Sequence, residues 1–403
     1  MSPQLGVILS QFPRYDEAFI LRDLQAIAVE YPDMVLFSLR PCRDKVIHAQ
    51  AKLLQPQTVY APFFFSLAVW KSTAYFLTKR PIAYLHVLAW IFTRHWNHPV
   101  MLVKTLALLP KTVHFGRLAQ EKRLSLLHAG WATYPATSAF IIERLTGIPY
   151  TVAGHAHDLY TSNPALTEKL SRARFVATCT EANKIFLDDF TRGKARVFVS
   201  YHGVDLGRFT APAKSLQGPC QILVVGSLLP CKGLETLIDG CRLLKERGVP
   251  FHCTLAGGGP LEKKLHGMIA QYGLQSDVEI TGFVSQEIVV GLYQQAHLFI
   301  LPLVSKIHWG IPNVVIEALA TKTPVVCCDL PSMKELVIHG KTGWIIPEAD
   351  PEAVASAVQR LWSDVVLRDQ LAAAGHAIVM ERFSLERTGQ RLRQLFSEAL
   401  TAA

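Results

Sequence analysis

An alternation of short, continuously apolar blocks with helical stretches, run twice along the chain, constrains the fold more than any other feature. In the N-terminal half the strand-like blocks fall at 7–9, 34–38, 124–128, 150–153, 175–178 and 197–200, with helical stretches notably at 19–30 and 136–146. A second series has blocks at 222–225, 252–256, 278–281, 298–301, 325–328 and 343–346, separated by helical stretches at 234–247, 260–272, 287–295, 314–320 and 351–362. Strands that are apolar throughout, and that alternate with helices, belong to parallel sheets covered on both faces. The pattern predicts an α/β fold of two doubly wound domains, with ligands held in a central cleft at the carboxyl ends of the strands. Boundaries are expected at 1–205 and 206–380, with a last helix within 381–403 returning to the first domain. Residues 205–219 lack periodicity and read as a linker.

Half of the 403 residues are hydrophobic and only 18% are charged, enough to bury two large cores and still leave apolar surface for a partner or a membrane. The opening Gly6–Ser10 run is too short, and too poor in preceding cations, for a secretory leader, so it reads as a first buried strand. No apolar run reaches the length needed to span a bilayer. The eight cysteines show no paired spacing, which points to reduced, mostly buried thiols in a cytosolic protein.

The net charge of +9 is concentrated. Between Tyr60 and Ser125 stand nine cations (Lys71, Lys79, Arg80, Arg94, Lys104, Lys111, Arg117, Lys122, Arg123) and one anion, Glu121, a net of +8. Phe63, Phe64, Phe65, Trp70, Trp90 and Trp96 lie in apolar blocks between those cations. The segment reads as a basic helical insertion at about 60–123, suited to an anionic membrane surface through residues 60–125. A helical layer packed on the protein with a solvated basic face is the alternative. No recognisable nucleic-acid module accompanies the charge, so no nucleic-acid partner is expected.

Trp309-Gly310-Ile311-Pro312-Asn313-Val314-Val315-Ile316-Glu317 reads as a tight loop entering a helix. Pro312 is expected to preset the first helical turn, leaving the amides of Asn313 and Val314 free to meet a phosphate. Glu317, one turn deeper, can accept hydrogen bonds from a ribose diol. Gly226-Ser227-Leu228-Leu229-Pro230-Cys231-Lys232-Gly233 follows a strand and precedes a helix, which puts the Lys232 ammonium where a pyrophosphate would lie, although a solvated surface lysine fits the same pattern. Gly257-Gly258-Gly259-Pro260 makes a second glycine loop but not a dinucleotide fingerprint. His155-Ala156-His157-Asp158 follows another strand; one of the histidines is placed for function, while a structural histidine bonded to a carbonyl is the ordinary outcome. No Asp-x-Asp pair, Gly-x-Ser-x-Gly elbow or Walker lysine motif occurs, and no metal site is expected.

Taken together these motifs resemble glycosyltransferase family 4, retaining enzymes of GT-B fold with two Rossmann-like domains. Leu9–Ile20, His128-Ala129 through Pro135-Ala136-Thr137, Gly154–Tyr160 and His202-Gly203-Val204-Asp205 are similar to the branch that builds exopolysaccharides such as colanic acid. The resemblance implies catalytic roles for His155 (against the transferred sugar), Lys232 (against the leaving diphosphate) and Glu317 (on the ribose). It implies donor contacts from Gly226, Ser227, Gly258, Phe283, Val284, Trp309, Gly310, Ile311, Pro312, Asn313 and Val314, with Gln11, Glu17 and Asp158 on the acceptor side. No cofactor is implied beyond a nucleotide-sugar co-substrate, a UDP- or GDP-sugar. The implied function is transfer of a sugar to a lipid-linked or polysaccharide acceptor, by a cytoplasmic protein peripheral at the inner membrane face. Two positions depart from the family pattern: Ser227 stands where an arginine is usual, and Trp309 where an acidic residue is usual. Both changes fall on the donor side and raise a catalytically impaired binding or assembly partner as the alternative. Lys306 and His308 are candidates to restore the lost positive charge.

Overall fold

Leu5, Val7 and Leu9 turn to one face of their strand and Ile8 to the other, and all four are buried. That is the signature of a central strand with helices on both sides. The computed structural model describes residues 4–14, 17–42, 47, 49–63, 66–211, 218–304 and 310–401. They form two compact units, Met1–Tyr201 with Thr388–Ala403, and His202–Arg387.

In the first unit seven parallel strands, β1 (Leu5–Leu9), β2 (Val35–Ser38), β3 (Thr58–Tyr60), β4 (Leu126–Ala129), β5 (Tyr150–Gly154), β6 (Val176–Thr178) and β7 (Val197–Val199), lie in the order β3-β2-β1-β4-β5-β6-β7. Gly6 pairs with Val35 on one side and Leu127 on the other, so the chain reverses its direction of winding between β1 and β4. The helices are α1 (Ala18–Ala28), α2 (Ala49–Leu54), α3 (Leu67–Lys79), α4 (Pro81–His95), α5 (Pro99–Glu121), α6 (Tyr134–Thr146), α7 (His157–Tyr160), α8 (Leu166–Arg172) and α9 (Glu181–Phe190).

On one face of the sheet, Ile20, Leu21, Leu24 and Ile27 of α1 pack with Leu126, Phe175 and Ala177. On the other, Phe115 and Ala119 of α5 and Phe140 and Ile142 of α6 pack with Leu127, Tyr150, Val152 and Val176. Each leucine, isoleucine, valine or phenylalanine among them contributes about 1.5–3 kcal/mol on full burial. A third layer lies outside α6, whose Ile141 and Leu145 meet Phe76 of α3, Tyr84, Val87 and Ile91 of α4, and Leu109 and Val113 of α5. The basic segment is therefore helical and packed on the protein by one face. Pro81 and Pro99 open α4 and α5, where a missing N–H costs nothing.

The second unit carries six parallel strands, β8 (Cys220–Val225), β9 (Phe251–Ala256), β10 (Val278–Gly282), β11 (Leu298–Leu301), β12 (Val325–Cys328) and β13 (Trp344–Ile346), in the order β10-β9-β8-β11-β12-β13. Its helices are α10 (Leu234–Glu246), α11 (Glu262–Gln271), α12 (Gln286–Gln295), α13 (Asn313–Ala320), α14 (Pro351–Ser363) and α15 (Val365–Arg382). Winding reverses between β8 and β11. A final helix, α16 (Leu385–Thr401), delivers Leu392, Leu395, Phe396 and Ala399 to the core of the first unit. Both units are Rossmann-like, as the alternation predicts. β3 escapes the sequence pattern because three residues show no period. No described helix is long and apolar enough to cross a membrane.

Candidate functional site

In the second unit the loops that leave β8, β9 and β11 are stitched together by backbone bonds at the point where winding reverses. Gly226 N donates to Ala256 O (3.0 Å), Leu228 N to Gly258 O (3.1 Å), Leu261 N to Leu228 O (3.2 Å) and Val304 N to Cys231 O (3.0 Å). Two glycines make this closeness possible. A Cβ on Gly257 would stand 2.0 Å from Gly226 O, and one on Gly233, whose φ is +65°, would stand 1.8 Å from Pro302 O. Only a residue without a side chain fits either position.

Lys232 ends the short 3-10 turn Pro230–Lys232, and Gly233 then opens α10. The lysine is half-buried, and burial pushes its ammonium below the usual lysine range. A desolvated cation at the carboxyl end of a central strand is poised to be stabilised by an anion. Ser227, the neighbour of Gly226, is exposed. Gly258 lies beneath Phe283, whose ring edge is 2.8 Å from where a Gly258 Cβ would stand. Phe283 is itself well exposed and is followed by half-buried Val284, so a flat aromatic face is available next to the glycine loop.

Pro312 does not occupy the first helical turn, as the sequence reading expected. It is the N-cap of α13, with extended ψ of 132°, and the helix begins at Asn313. The reason is local: Pro312 O accepts from Val315 N (2.9 Å), which closes the first turn one residue later. Gly310 forms a bend, Ile311 is buried, and Asn313 and Val314 lie in the first turn. Glu317 is buried in the body of α13, where its Oε2 accepts from the Tyr293 hydroxyl (3.3 Å). The same hydroxyl reaches Val314 O (3.1 Å), and burial beside Glu317 pushes the Tyr293 phenol well above its usual range. Tyr293 carries no signal in the sequence, being one aromatic among the apolar residues of α12. Trp309, Lys306 and His308 lie outside the described residues.

In the first unit His155 follows β5 and is 7% exposed. Its ring sits between Phe19 and Trp131, with centroids 4.9 Å and 4.7 Å away, both edge-on. Nε2 lies 3.2 Å from Gly130 O. A carbonyl only accepts, so Nε2 carries the proton and Nδ1 is the acceptor nitrogen. Burial lowers the imidazole pKa, which keeps the ring neutral.

Asp158 stands beside it with a different task. Its Oδ1 accepts from His155 N (3.0 Å) and Ala156 N (3.1 Å), and its Oδ2 from Ala132 N (2.8 Å). With 1% exposure, this carboxylate is directed at backbone amides and ties the loop after β4 to the loop after β5. Asn163 Nδ2 extends the tie to Ala132 O and Asp158 O (both 3.0 Å). Lys169 Nζ then reaches Asn163 Oδ1 (2.5 Å) and Thr137 Oγ1 (3.2 Å). Burial brings the Lys169 pKa down to about 7, with Asp158 opposing the shift. Gln11 lies on the bend after β1, and Glu17 at the N-cap of α1 pairs with Arg14 (3.2 Å).

Residues 210–377 match the family model described as glycosyl transferases group 1. A putative colanic acid biosynthesis glycosyltransferase, WcaL of Escherichia coli (strain K12), is 39% identical over 166 residues, 40% of this chain and 41% of that protein. The amylovoran biosynthesis glycosyltransferase AmsK of Erwinia amylovora is 34% identical over 170 residues, 41% of this chain and 42% of that protein. The matched segments thus span about two fifths of the length of these curated relatives. Among solved structures, Anabaena Alr3699/HepE in complex with UDP superimposes with a TM-score of 0.72 over 98% of this chain and 100% of that chain, at 17% identity. At that identity the likeness shows the fold alone, which is GT-B.

Proposed function

With its second unit matching the group 1 glycosyl transferases over residues 210–377, we propose that this protein is a retaining glycosyltransferase of family 4 in exopolysaccharide or cell-envelope glycan synthesis. It moves a sugar from a nucleotide-sugar donor to a lipid-linked or polysaccharide acceptor at the inner face of a membrane. The observation that carries this reading is the placement of Lys232. A cation held partly out of water, on loops stitched at the strand ends where winding reverses, suits a departing nucleoside diphosphate. UDP and UDP-glucose are bound by HepE, which supports a UDP-sugar donor. The relatives that match are named as transferases, which supports an enzyme over an impaired relative despite Ser227.

In the proposed reaction the bond from the anomeric carbon to the diphosphate oxygen breaks as an acceptor hydroxyl approaches on the same face. A diphosphate oxygen takes the hydroxyl proton, and Lys232 offsets the developing charge. Glu317 holds the ribose, and Tyr293 fixes its carboxylate. Phe283 borders the base, and the amides of Asn313 and Val314 meet phosphate or sugar oxygens. The neutral His155 ring serves the transferred sugar. No metal enters the proposed chemistry, and the nucleotide-sugar is co-substrate rather than resident cofactor.

Calorimetry with UDP-, GDP- and ADP-sugars tests the reading. Binding of a UDP- or GDP-sugar that is lost in Lys232→Ala is expected, and no heat with any donor would overturn it.

A further inference from the structure

Along α4 and its C-cap Trp96, the residues Ile82, Leu85, Ala89, Phe92 and Trp96 succeed one another at alternating steps of three and four residues, the spacing of one helix face. All five are exposed; Ile82 is 69% and Trp96 71% open to solvent. The opposite face of the same helix, Tyr84, Val87 and Ile91, is buried against α6 and its neighbours. So α4 is apolar on two faces and partnered on one. Its two neighbours repeat the arrangement. α3 exposes Leu67, Trp70, Ala74 and Leu77, and α5 opens with Val100, Val103 and Ala107 exposed. A helix apolar all round is ordinarily enclosed, and exposed apolar stripes on three packed helices mark a docking surface.

Charge selects the occupant. Exposed Lys71, Lys79, Arg80 and Lys104 accompany the stripes, and the single anion of the segment, Glu121, is already paired with Arg117. A second copy of the chain would bring the same +8 against itself, whereas an anionic lipid surface neutralises it. The α4 stripe runs about 21 Å at 1.5 Å per residue, and no described helix is long and apolar enough to cross a membrane. An amphipathic helix of that length suits the membrane interface, where indole rings favour headgroup level and lysine stems reach outward.

We propose that the solvent-facing stripe of α4, Ile82-Leu85-Phe92-Trp96, with the exposed stripes of α3 and α5, is the surface by which this protein docks on an anionic bilayer. The inference rests on the membrane placement already proposed and names the residues that make it. Docking buries the apolar stripe at the boundary of headgroups and acyl chains, while the cations hold the anionic headgroups.

Flotation with phosphatidylglycerol–phosphatidylethanolamine vesicles, against pure phosphatidylcholine vesicles, is the test. The 403-residue chain is expected to float with the anionic vesicles, less so as salt rises. The double variant Phe92→Ser/Trp96→Ser, and independently Ile82→Ser/Leu85→Ser, should lower binding by about tenfold or more. Because these side chains are exposed, the thermal melts should match the parent's. Unchanged flotation in both double variants, or equal binding to both lipids without salt dependence, would overturn the proposal. So would light scattering that shows a dimer dissociated by Phe92→Ser/Trp96→Ser, since the face would then join two copies. Donor calorimetry on the same variants separates the two readings: donor heat retained with flotation lost supports docking, and flotation retained with no donor heat in the parent removes the transferase reading alone.

Discussion

Asp158 holds His155 by its backbone amide, 3.0 Å from Oδ1, and not by its ring. The ring instead donates from Nε2 to Gly130 O (3.2 Å), and Asp158 also fixes the amide of Ala132 in the Gly130 loop (2.8 Å). One carboxylate thus sets both the histidine backbone and the loop that orients its ring. Asp158→Asn replaces one acceptor oxygen with a donor facing an N–H. A stability loss of about 1–3 kcal/mol is expected in denaturant melts, with a fall in kcat larger than any change in donor affinity. A variant that melts and turns over like the parent would show that the tie is dispensable.

Under the proposed function, Lys232 is expected to govern donor affinity and its pH dependence. Lys232→Gln should weaken donor binding by about 2–5 kcal/mol without lowering stability, since a desolvated ammonium is removed. Burial lowers the lysine pKa, so its charge, and the affinity that depends on it, is lost as pH rises through a value below the ordinary lysine range. Calorimetric titration of donor binding across alkaline pH should show that fall in the parent and not in the glutamine variant.

Tyr293 gives its hydroxyl to Glu317 Oε2 and Val314 O from a fully buried position. Tyr293→Phe should cost about 1–3 kcal/mol, because buried acceptors lose their donor while the packing stays. Donor binding should weaken with it as the Glu317 carboxylate loses its anchor. A phenylalanine variant with full stability and affinity would remove Tyr293 from the site.

Lys169 should leave a signature in stability against pH. Its folded pKa of about 7 lies below its unfolded value near 10.5. Between those values the unfolded chain binds more protons than the folded one, so this group makes stability rise with pH from about 7 toward 10. Lys169→Met should flatten that rise. Paired melts of parent and variant at several pH values check it, and parallel curves would show that the lysine does not titrate in this window.

The doubly wound plan was legible because buried parallel strands such as Ile222–Val225 are apolar without interruption. β3 was not, because Thr58–Tyr60 gets its identity from pairing with Leu36–Ser38 rather than from any pattern of its own. At the site, residue types could be read and their partners could not. Asp158 reads in sequence as an acceptor-side acid beside a histidine pair, and only the amide of Ala132, 26 residues away, shows it bound to backbone. Lys169 sits in Leu-Thr-Glu-Lys-Leu-Ser-Arg, a stretch that suggests a solvated helix, and only Asn163 and Thr137 explain its burial. Pro312 reads one position too deep because sequence shows a proline near a helix start but not which carbonyl closes the first turn.

α6 has no face to spare. Its Phe140 and Ile142 press on the sheet, its Ile141 and Leu145 on the outer helices, and its first turn supplies Thr137 to the Lys169 amine. The basic helices are consequently not a detachable float. Excising residues 67–121 would strip the roof from α6, leave oily side chains bare and loosen the helix whose first turn braces the Lys169 amine.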